Sequence, residues 1–382
     1  MSALPDVIIE KVFSYCSSKL IIFFQKKFPR LLQSIQFYDP NPVLQALWIH
    51  IRKFSQISWR QAINDELNKL SGLTYLSIGH SIIITDAGFK NLTNLTYLNC
   101  YDCSSITDNA FINLTNLVTL NCSHCEITNV AISRCVNLTD LSCGYCENIT
   151  DDAFIRLSQL TKLNCEFCRN VIGISFKYLH NLTYLDCQHC EKLNDDAFYG
   201  CYNLTYLICH TNYAITGKSF HDLNNLLKLE CAYTSIIDNS LIYLTKLTRL
   251  DCEGATITGN QFNKLTNLTS LDCSHCPNIN DDAFLNLNNL AELWCMNCCR
   301  ITDAAFVNFM QLNLLNCSKC DNITDNAFFN LINLKELYCN NCNNITENIF
   351  KHLVNLERLV CTCCDKLKYK KVKLPLNLSI FG

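Results

Sequence analysis

The sequence predicts an α/β solenoid of about fourteen stacked repeats, each with one short strand and one short helical turn. Two observations predict it. The spacing Leu-x-x-Leu-x-Cys recurs every 21 or 22 residues, and the segment after it reads Ile-Thr-Asp-x-Ala-Phe in several repeats. The first leucines are Leu73, Leu95, Leu117, Leu138, Leu160, Leu182, Leu204, Leu226, Leu247, Leu268, Leu290, Leu312, Leu334 and Leu356. A fixed period in this range indicates repeats that bury their apolar faces against one another.

The strand is predicted from alternation within the leucine motif. Leu185 and Cys187 alternate with Tyr184 and Asp186, which is the period of two expected for a strand with one buried face. Neighbouring strands in a sheet lie about 4.8 Å apart. Stacked repeats therefore predict one parallel sheet, on the concave side of the solenoid.

The helical turn is predicted from the segment that follows the strand. In Ile106-Thr-Asp-Asn-Ala-Phe111, Thr or Asp can cap the free N–H groups of a short helix, while Ala and Phe point inward. This turn would form the convex side. Asn directly precedes the first leucine in ten repeats, and a column of amides that bond to loop backbone is the expected reason.

Twenty-eight cysteines need an explanation, and most of them form two columns of the repeat. Cys stands at position six in thirteen repeats, with Ile78 in the first, and at position nine in ten. A redox role needs an exposed thiol of low pKa, and a zinc site needs four converging thiolates. The period places these sulfurs inside, so the sequence predicts core packing, with zinc and disulfides between repeats as the alternatives. It predicts no metal and no cofactor.

With positions one, four, six, nine and about twelve apolar, the repeat resembles a leucine-rich repeat over residues 73–367. Cys at position nine followed by Ile-Thr-Asp is similar to the cysteine-containing subclass of that family. The resemblance implies a horseshoe with a concave parallel sheet and convex helical turns.

Residues 1–45 do not fit the repeat. Leu4-Pro5 precedes apolar residues at helical spacing, and Pro suits a first helical turn. This segment resembles an F-box, the small all-α module that docks substrate receptors on the adaptor of cullin-type ubiquitin ligases. The resemblance implies that the adaptor is bound by Leu4, Pro5, Ile8, Ile9, Val12 and Phe13. The alternative is a helical cap over the first repeat, which solenoids need. Residues 46–72 are predicted as a helical cap in either case, and 368–382 as a C-terminal tail or cap.

The predicted concave face carries the candidate binding residues. They are Tyr145, Phe167, Tyr184, Asp186, His189, Tyr206, Glu230, Asp251 and Trp294. Exposed aromatic side chains beside acids on a rigid sheet are typical of protein-binding hot spots. The alternative is that Tyr and Phe simply suit a β-surface. We expect a basic or mixed-charge protein partner at the centre of this face.

Catalytic and metal-binding patterns are weak in this sequence. His124, His189 and His275 share repeat position eight, so they do not converge. Asp pairs such as Asp151-Asp152 lack the glycine-bearing loop of calcium sites, so helix-start capping is the expected role. No phosphate loop or nucleotide fingerprint is visible. A net charge of −3 gives no reason to expect nucleic acid or an anionic membrane surface. The sequence predicts a protein that is not an enzyme.

Two functions fit this organisation. The first is the substrate-recognition subunit of a cullin-type ubiquitin ligase, which binds its target on the concave face. The second is a stand-alone repeat scaffold without a ligase. With no signal peptide and no apolar run of about 18 residues, the sequence predicts a cytoplasmic protein with reduced thiols. Heavy use of Asn and Ile is typical of an AT-rich genome, such as that of a protist or a large virus, whose proteins would occupy the host cytoplasm.

Overall fold

A computed structural model describes residues 34–36, 64–65, 67–68, 71–369, 374–375 and 378–381. The chain divides into two compact blocks. The N-terminal block comprises Met1–Val171 and Tyr178–Leu182, and the C-terminal block comprises Ile172–Lys177 and Thr183–Gly382. Within each block the repeats stack and neighbouring strands pair in parallel, so the predicted solenoid of strands and short helical turns is confirmed.

The sheet of the N-terminal block contains β1 (Ser34–Gln36), β2 (Tyr75–Ser77), β3 (Tyr97–Asn99), β4 (Thr119–Asn121), β5 (Asp140–Ser142) and β6 (Lys162–Asn164). That of the C-terminal block contains β7 (Tyr184–Asp186), β8 (Tyr206–Ile208), β9 (Lys228–Glu230), β10 (Arg249–Asp251), β11 (Ser270–Asp272), β12 (Glu292–Trp294), β13 (Leu314–Asn316), β14 (Glu336–Tyr338), β15 (Arg358–Val360) and β16 (Ser379–Phe381). From β2 to β15 each strand covers repeat positions three to five. Neighbours therefore pair position by position, as Tyr97 does with Thr119.

The segments that return the chain are mostly 3-10 turns. In the N-terminal block they are Asp86–Phe89, Asp108–Phe111 and Asp151–Ala153, together with the α-helix α1 (Asn129–Arg134). In the C-terminal block they are Asp195–Phe198, Phe220–Asp222, Asp238–Tyr243, Phe262–Lys264, Asp281–Phe284, Asp303–Phe306, Asp325–Phe328 and Glu347–Lys351. A further turn is Phe176–Tyr178. Ala and Phe of the turn point inward as predicted, since Ala110 and Phe111 are buried.

Several turns are capped at their start by the side chain of Thr or Asn, and the aspartate that follows has a different role. Thr302 Oγ1 accepts a hydrogen bond from Ala304 N at 3.3 Å. Asp303, the first residue of this turn, accepts bonds from Thr324 N at 2.7 Å and Thr324 Oγ1 at 2.6 Å in the next repeat. The predicted capping role is therefore wrong for aspartate, because its carboxylate points along the stack and ties neighbouring repeats together.

The predicted column of amides is confirmed. Asn116 Nδ2 donates to Thr93 O at 2.9 Å, and Asn289 Nδ2 donates to Thr266 O at 3.0 Å. A second column, not predicted, lies in the turn: Asn330 Nδ2 donates to Val307 O at 2.8 Å. These bonds satisfy loop carbonyls that would otherwise need water.

The two cysteine columns are buried, as predicted, apart from the half-buried Cys364. Thiols at position nine donate to the backbone carbonyl of position six in the preceding repeat. Cys125 Sγ lies 3.0 Å from Cys100 O, and Cys298 Sγ lies 3.1 Å from Cys273 O. We call this series the thiol ladder. Burial raises the pKa of Cys103 to about 12, so this thiol keeps the proton that it donates.

Asn212 replaces a ladder cysteine and gives a prediction. Its Nδ2 donates to Cys187 O at 2.8 Å, but its buried Oδ1 finds no hydrogen-bond donor among the described residues. A buried polar atom without a partner costs about 1–3 kcal/mol. We expect Asn212→Cys to raise the free energy of unfolding by about 1 kcal/mol in urea titrations. Cys298→Asn is the reverse change and should lower it; a destabilised Asn212→Cys would contradict this explanation.

The region before the repeats is described only in small part. Ser34–Gln36 forms β1, which pairs in parallel with β2. The rest of the predicted all-α module over residues 1–45 lies outside the described residues, so that module stays a prediction. Residues 64–65 and 67–68 are helical, within the predicted cap, and Asn64 Nδ2 donates to Thr85 Oγ1 at 2.9 Å. The adaptor-binding residues predicted from Leu4 to Phe13 lie outside the described residues. Within the described part of the chain, no helix is long and apolar enough to cross a bilayer.

Candidate protein-binding face

We define the strand face as the surface formed by repeat positions three, five, seven and eight. Position eight lies three residues past the end of the strand. It adopts a positive φ, between 54° and 61° in thirteen non-glycine residues and 69° in Gly254. This left-handed conformation turns the chain out of the sheet, and side chains other than glycine adopt it at a cost.

An aromatic ladder runs along the strand face of the N-terminal block. It consists of His80, Tyr101, His124, Tyr145 and Phe167, with successive ring centroids 4.9, 5.2, 4.1 and 4.4 Å apart. The predicted site residues Tyr145 and Phe167 belong to it. Tyr145 remains 39% exposed, which leaves a ring edge for a partner.

In the C-terminal block, Tyr206 anchors a polar cluster. Its ring meets that of Tyr184 edge to face at 5.2 Å, and its hydroxyl donates to Glu230 Oε1 at 2.6 Å. Burial and this hydrogen bond raise the pKa of Tyr206. Glu230 also lies 3.5 Å from both His210 Nε2 and Arg249 Nε. The hydrogen bond from His210 is the main cause that lowers the pKa of Glu230, so its carboxylate is ionised.

His210, Glu230 and Asp251 place three potential metal-ligand atoms within 4.8 Å of one another. The hydrogen bonds of His210 oppose a metal. Ala232 N donates to His210 Nδ1 at 3.0 Å, so Nδ1 accepts and the proton of the neutral ring lies on Nε2. A metal needs the Nε2 lone pair, and ligating histidines instead donate their other N–H. This group is therefore a hydrogen-bonded cluster of the strand face.

Three carboxylates stand side by side on neighbouring strands. Glu230 of β9 pairs with Asp251 of β10, and Asp251 pairs with Asp272 of β11. We call these three residues the acidic column. Burial raises the pKa of Asp272 to about 6 and also raises that of Asp251. Like charges on directly paired residues are unfavourable, so the column costs stability.

The fold does not require charge at these positions. Asp272 Oδ1 accepts a hydrogen bond from Ser274 N at 2.9 Å, and Asp251 Oδ1 accepts one from Glu253 N at 3.1 Å. Neutral Asn121 and Asn316 make the same bond in other repeats, each at 3.1 Å. Asparagine would therefore support the turn without repulsion between neighbours, and the two aspartates carry charge that the fold does not use.

The other predicted residues fall into three situations. Trp294 of β12 pairs with Asp272, which extends the acidic column by an aromatic ring. His189 Nδ1 lies 2.7 Å from Thr211 Oγ1 of the next repeat. Asp186 is only 5% exposed, and its Oδ1 accepts from Gln188 N at 3.3 Å. Its predicted place on an exposed face is wrong. The local bond is not the reason, because Asp251 makes the same bond and is only partly buried.

The structure thus brings Tyr206, Glu230, Asp251 and Trp294 together within one block, while Tyr145 and Phe167 belong to the other. The sequence-based selection missed Glu253, whose Oε1 accepts from Tyr233 OH at 2.8 Å. Glu253 stands at repeat position seven, which also faces outward. A comparison of position seven across the repeats would have identified Glu253 as a candidate site residue.

The fold and this face define the class: a solenoid of leucine-rich repeats. The chain belongs to the family described as BspA type leucine rich repeat region, which matches it in six copies over residues 61–185, 167–268, 191–308 and 255–369. The matching family is thus the BspA type, where the sequence suggested the cysteine-containing subclass. Leucine-rich repeats typically serve as non-catalytic binding scaffolds, and no enzyme family was identified.

Solved structures with the same fold include two Listeria monocytogenes proteins. The functional domain of InlJ, described as including a cysteine ladder, is 26% identical over 78% of this chain and 69% of its own, with a TM-score of 0.59. The internalin inlF is 21% identical over 84% of each chain, with a TM-score of 0.56. Yeast Rad7, solved in complex with Elc1, is 17% identical over 91% of this chain and 98% of its own, with a TM-score of 0.51. Among curated protein sequences, none matches this chain.

Proposed function

We propose that this chain is a protein-binding scaffold whose acidic column takes basic side chains of a protein partner. The observation that carries the proposal is the pair Asp251 and Asp272, charged where asparagine would make the same turn bond. Residues that cost stability without serving the fold are typical of functional sites. A lysine or arginine from a partner would relieve the repulsion within the column.

Aromatic and basic neighbours define what kind of partner fits. Trp294 and Tyr206 flank the column and offer rings for cation–π contact with a basic side chain. At position three of neighbouring strands, Lys228 Nζ lies 5.3 Å from the Tyr206 ring centroid and Arg249 lies near Glu230. The face is therefore of mixed charge, which supports a protein partner with basic residues set among acidic or neutral ones.

The finer proposal is that the scaffold is the substrate receptor of a cullin-type ubiquitin ligase in the cytoplasm. It rests on the F-box-like pattern from Leu4 to Phe13, in residues that the structure does not describe. A stand-alone scaffold is the second candidate. Co-purification with the ligase adaptor separates the two. If the ligase proposal is correct, the adaptor co-purifies with the wild-type chain and not with a Leu4→Asp, Pro5→Ala variant. If no adaptor co-purifies with the wild-type chain, the stand-alone scaffold is the remaining candidate.

The acidic column can be tested by neutralisation. We expect Asp251→Asn with Asp272→Asn to weaken binding of the captured partner at least tenfold, because its basic groups lose their counter-charges. The measurement is affinity capture at low salt followed by quantitative mass spectrometry, comparing each recovered protein between variants. Asp140→Asn, at repeat position three on the N-terminal block, is the control and should leave recovery unchanged. Equal recovery of the same proteins by the double variant would contradict the proposal.

A further inference from the structure

The turn side of the C-terminal block exposes a cluster of large apolar side chains on neighbouring repeats. Their exposed fractions lie between 50% and 63%. The members are Leu285, Val307, Met310, Phe329, Ile332 and Val354, which we call the turn-side patch. Leu285, Val307 and Phe329 follow their turns at one repeat position. Another repeat position, two residues before the first leucine of the next repeat, is occupied by Met310, Ile332 and Val354. Contiguous apolar surface of this kind marks interaction sites.

The repeat itself provides the comparison that separates function from folding. At the position of Val307, other repeats carry Lys90 and Lys351, and on the N-terminal block the apolar Ile112 and Ile155 stand singly between polar or charged residues. At the position of Ile332, other repeats carry Thr93, Ser158 and Thr266. Charged or polar residues therefore satisfy both positions in the same fold. The run of apolar residues over consecutive repeats of the turn-side patch therefore has a role other than stacking.

The backbone beneath the patch is already hydrogen-bonded. Asn330 Nδ2 donates to Val307 O at 2.8 Å, Asn333 Nδ2 to Met310 O at 2.8 Å and Asn355 Nδ2 to Ile332 O at 2.8 Å. A partner therefore finds few free carbonyls here and cannot add a strand in the manner of β-augmentation. The patch offers side chains, which favours a partner that also presents only side chains, as a helix does.

The spacing of the patch also fits a helix. Neighbouring repeats of a parallel sheet are about 4.8 Å apart. Helical residues three or four positions apart rise by about 5 Å and lie on one face. An amphipathic helix can thus place one apolar residue against each repeat, as in helix-in-groove recognition.

Charged residues at the two ends of the turn-side patch further restrict which kind of partner can bind there. Exposed Lys351 holds the position of Val307 in the repeat after the apolar run, and exposed Lys264 stands one residue past that position in the repeat before it. They are four repeats apart, which corresponds to about 19 Å at the spacing of paired strands. The carboxylates of the same turns are occupied: Asp281 and Asp303 accept bonds from threonines of the next repeat. A second copy docked antiparallel would bring lysine against lysine at both ends. Two lysines are also few for an anionic membrane, which typically requires a larger basic cluster.

We propose that the turn-side patch binds an amphipathic helix of a partner protein that carries aliphatic residues on one face and carboxylates near both ends. The lysine spacing corresponds to about 13 helical residues at 1.5 Å per residue. This surface lies on the turns and not on the strand face, so the inference does not depend on the acidic column.

The test is selection from a phage-displayed library of 16-residue peptides on the full chain. We expect enriched peptides with aliphatic residues every three or four positions and Asp or Glu at both ends. The patch variant Val307→Ser, Phe329→Ser, Ile332→Ser should bind their synthetic versions at least tenfold more weakly. Lys264→Glu with Lys351→Glu should weaken them at least fivefold. Ile112→Ser, Val130→Ser, Ile155→Ser replaces equally exposed residues on the other block and should bind normally.

Four results would overturn the proposal. They are failure to enrich such peptides, equal binding by the patch variant, a wild-type dimer that the patch variant abolishes in sedimentation velocity, and sedimentation with phosphatidylserine vesicles that the patch variant abolishes. All three variants replace exposed residues, so they should retain the wild-type unfolding midpoint. Normal peptide binding by the Asp251→Asn, Asp272→Asn variant would confirm that the two surfaces are independent.

Discussion

Replacing Phe328 by alanine should lower the free energy of unfolding by about 3–5 kcal/mol, the cost of truncating a buried phenylalanine. Phe328 ends the turn Asp325–Phe328 and is fully buried. Equivalent phenylalanines, among them Phe306 and Phe284, are also buried at this repeat position. The measurement is urea unfolding followed by far-UV circular dichroism, with unchanged steepness of the transition as a check on cooperativity.

The adjacent residue provides the control. Phe329 is 52% exposed and makes an edge-to-face contact with His352 at 4.4 Å. Phe329→Ala should cost below about 1 kcal/mol, since half of this side chain is already exposed in the folded state. Equal costs for the two variants would mean that the inward phenylalanine column does not stabilise the stack.

Asp272→Asn should stabilise the protein by about 2 kcal/mol at pH 7.5. Burial raises the pKa of Asp272 in the folded state to about 6, against an ordinary value of 3.8. A difference of this size corresponds to about 3 kcal/mol, and partial contact with water reduces the expected effect. Asparagine keeps the acceptor for Ser274 N and removes the charge.

The pH dependence of this difference has a definite sign. Because the folded pKa is the higher one, the folded state binds the proton more tightly, so the carboxyl opposes folding only as it ionises. Its stabilising contribution is present below about pH 4 and is lost as pH rises towards 6. Urea titrations of wild type and variant should therefore differ most at pH 6 and above, and the difference should shrink towards zero as pH falls from 6 to below 4. A constant difference across this range would show that ionisation is not the cause.

Much of the repeat could be predicted because burial follows repeat position. Leucines at positions one and four, and cysteines at positions six and nine, recur at a fixed spacing, and they are buried throughout the described repeats except at Cys364. The amide column followed from the same regularity, since an identical residue at an identical position meets identical backbone. The positive φ at position eight did not follow, because residues as different as Phe167 and Lys319 occupy it.

Contacts between side chains of neighbouring repeats could not be predicted from the sequence. Asp303 was expected to cap its own turn, and the structure shows that it bonds to Thr324 of the next repeat. Asp186 and Asp251 occupy the same repeat position, yet Asp186 is buried and Asp251 only partly so. Such differences in burial depend on which side chains lie on the neighbouring strands. A consensus sequence of the repeat does not contain this information.

The central claim is that the cysteine columns form the dry interior of the stack, which leaves the strand face and the turns free to bind other proteins. Alkylation with iodoacetamide under native conditions, followed by unfolding, labelling with an isotopic form of the reagent and peptide mass spectrometry, tests it most directly. Exposed Cys299 and Cys363 should react first, whereas Cys143, Cys187 and Cys295 should react only after unfolding. Labelling of those three at the rate of Cys299 in the native protein would contradict the account.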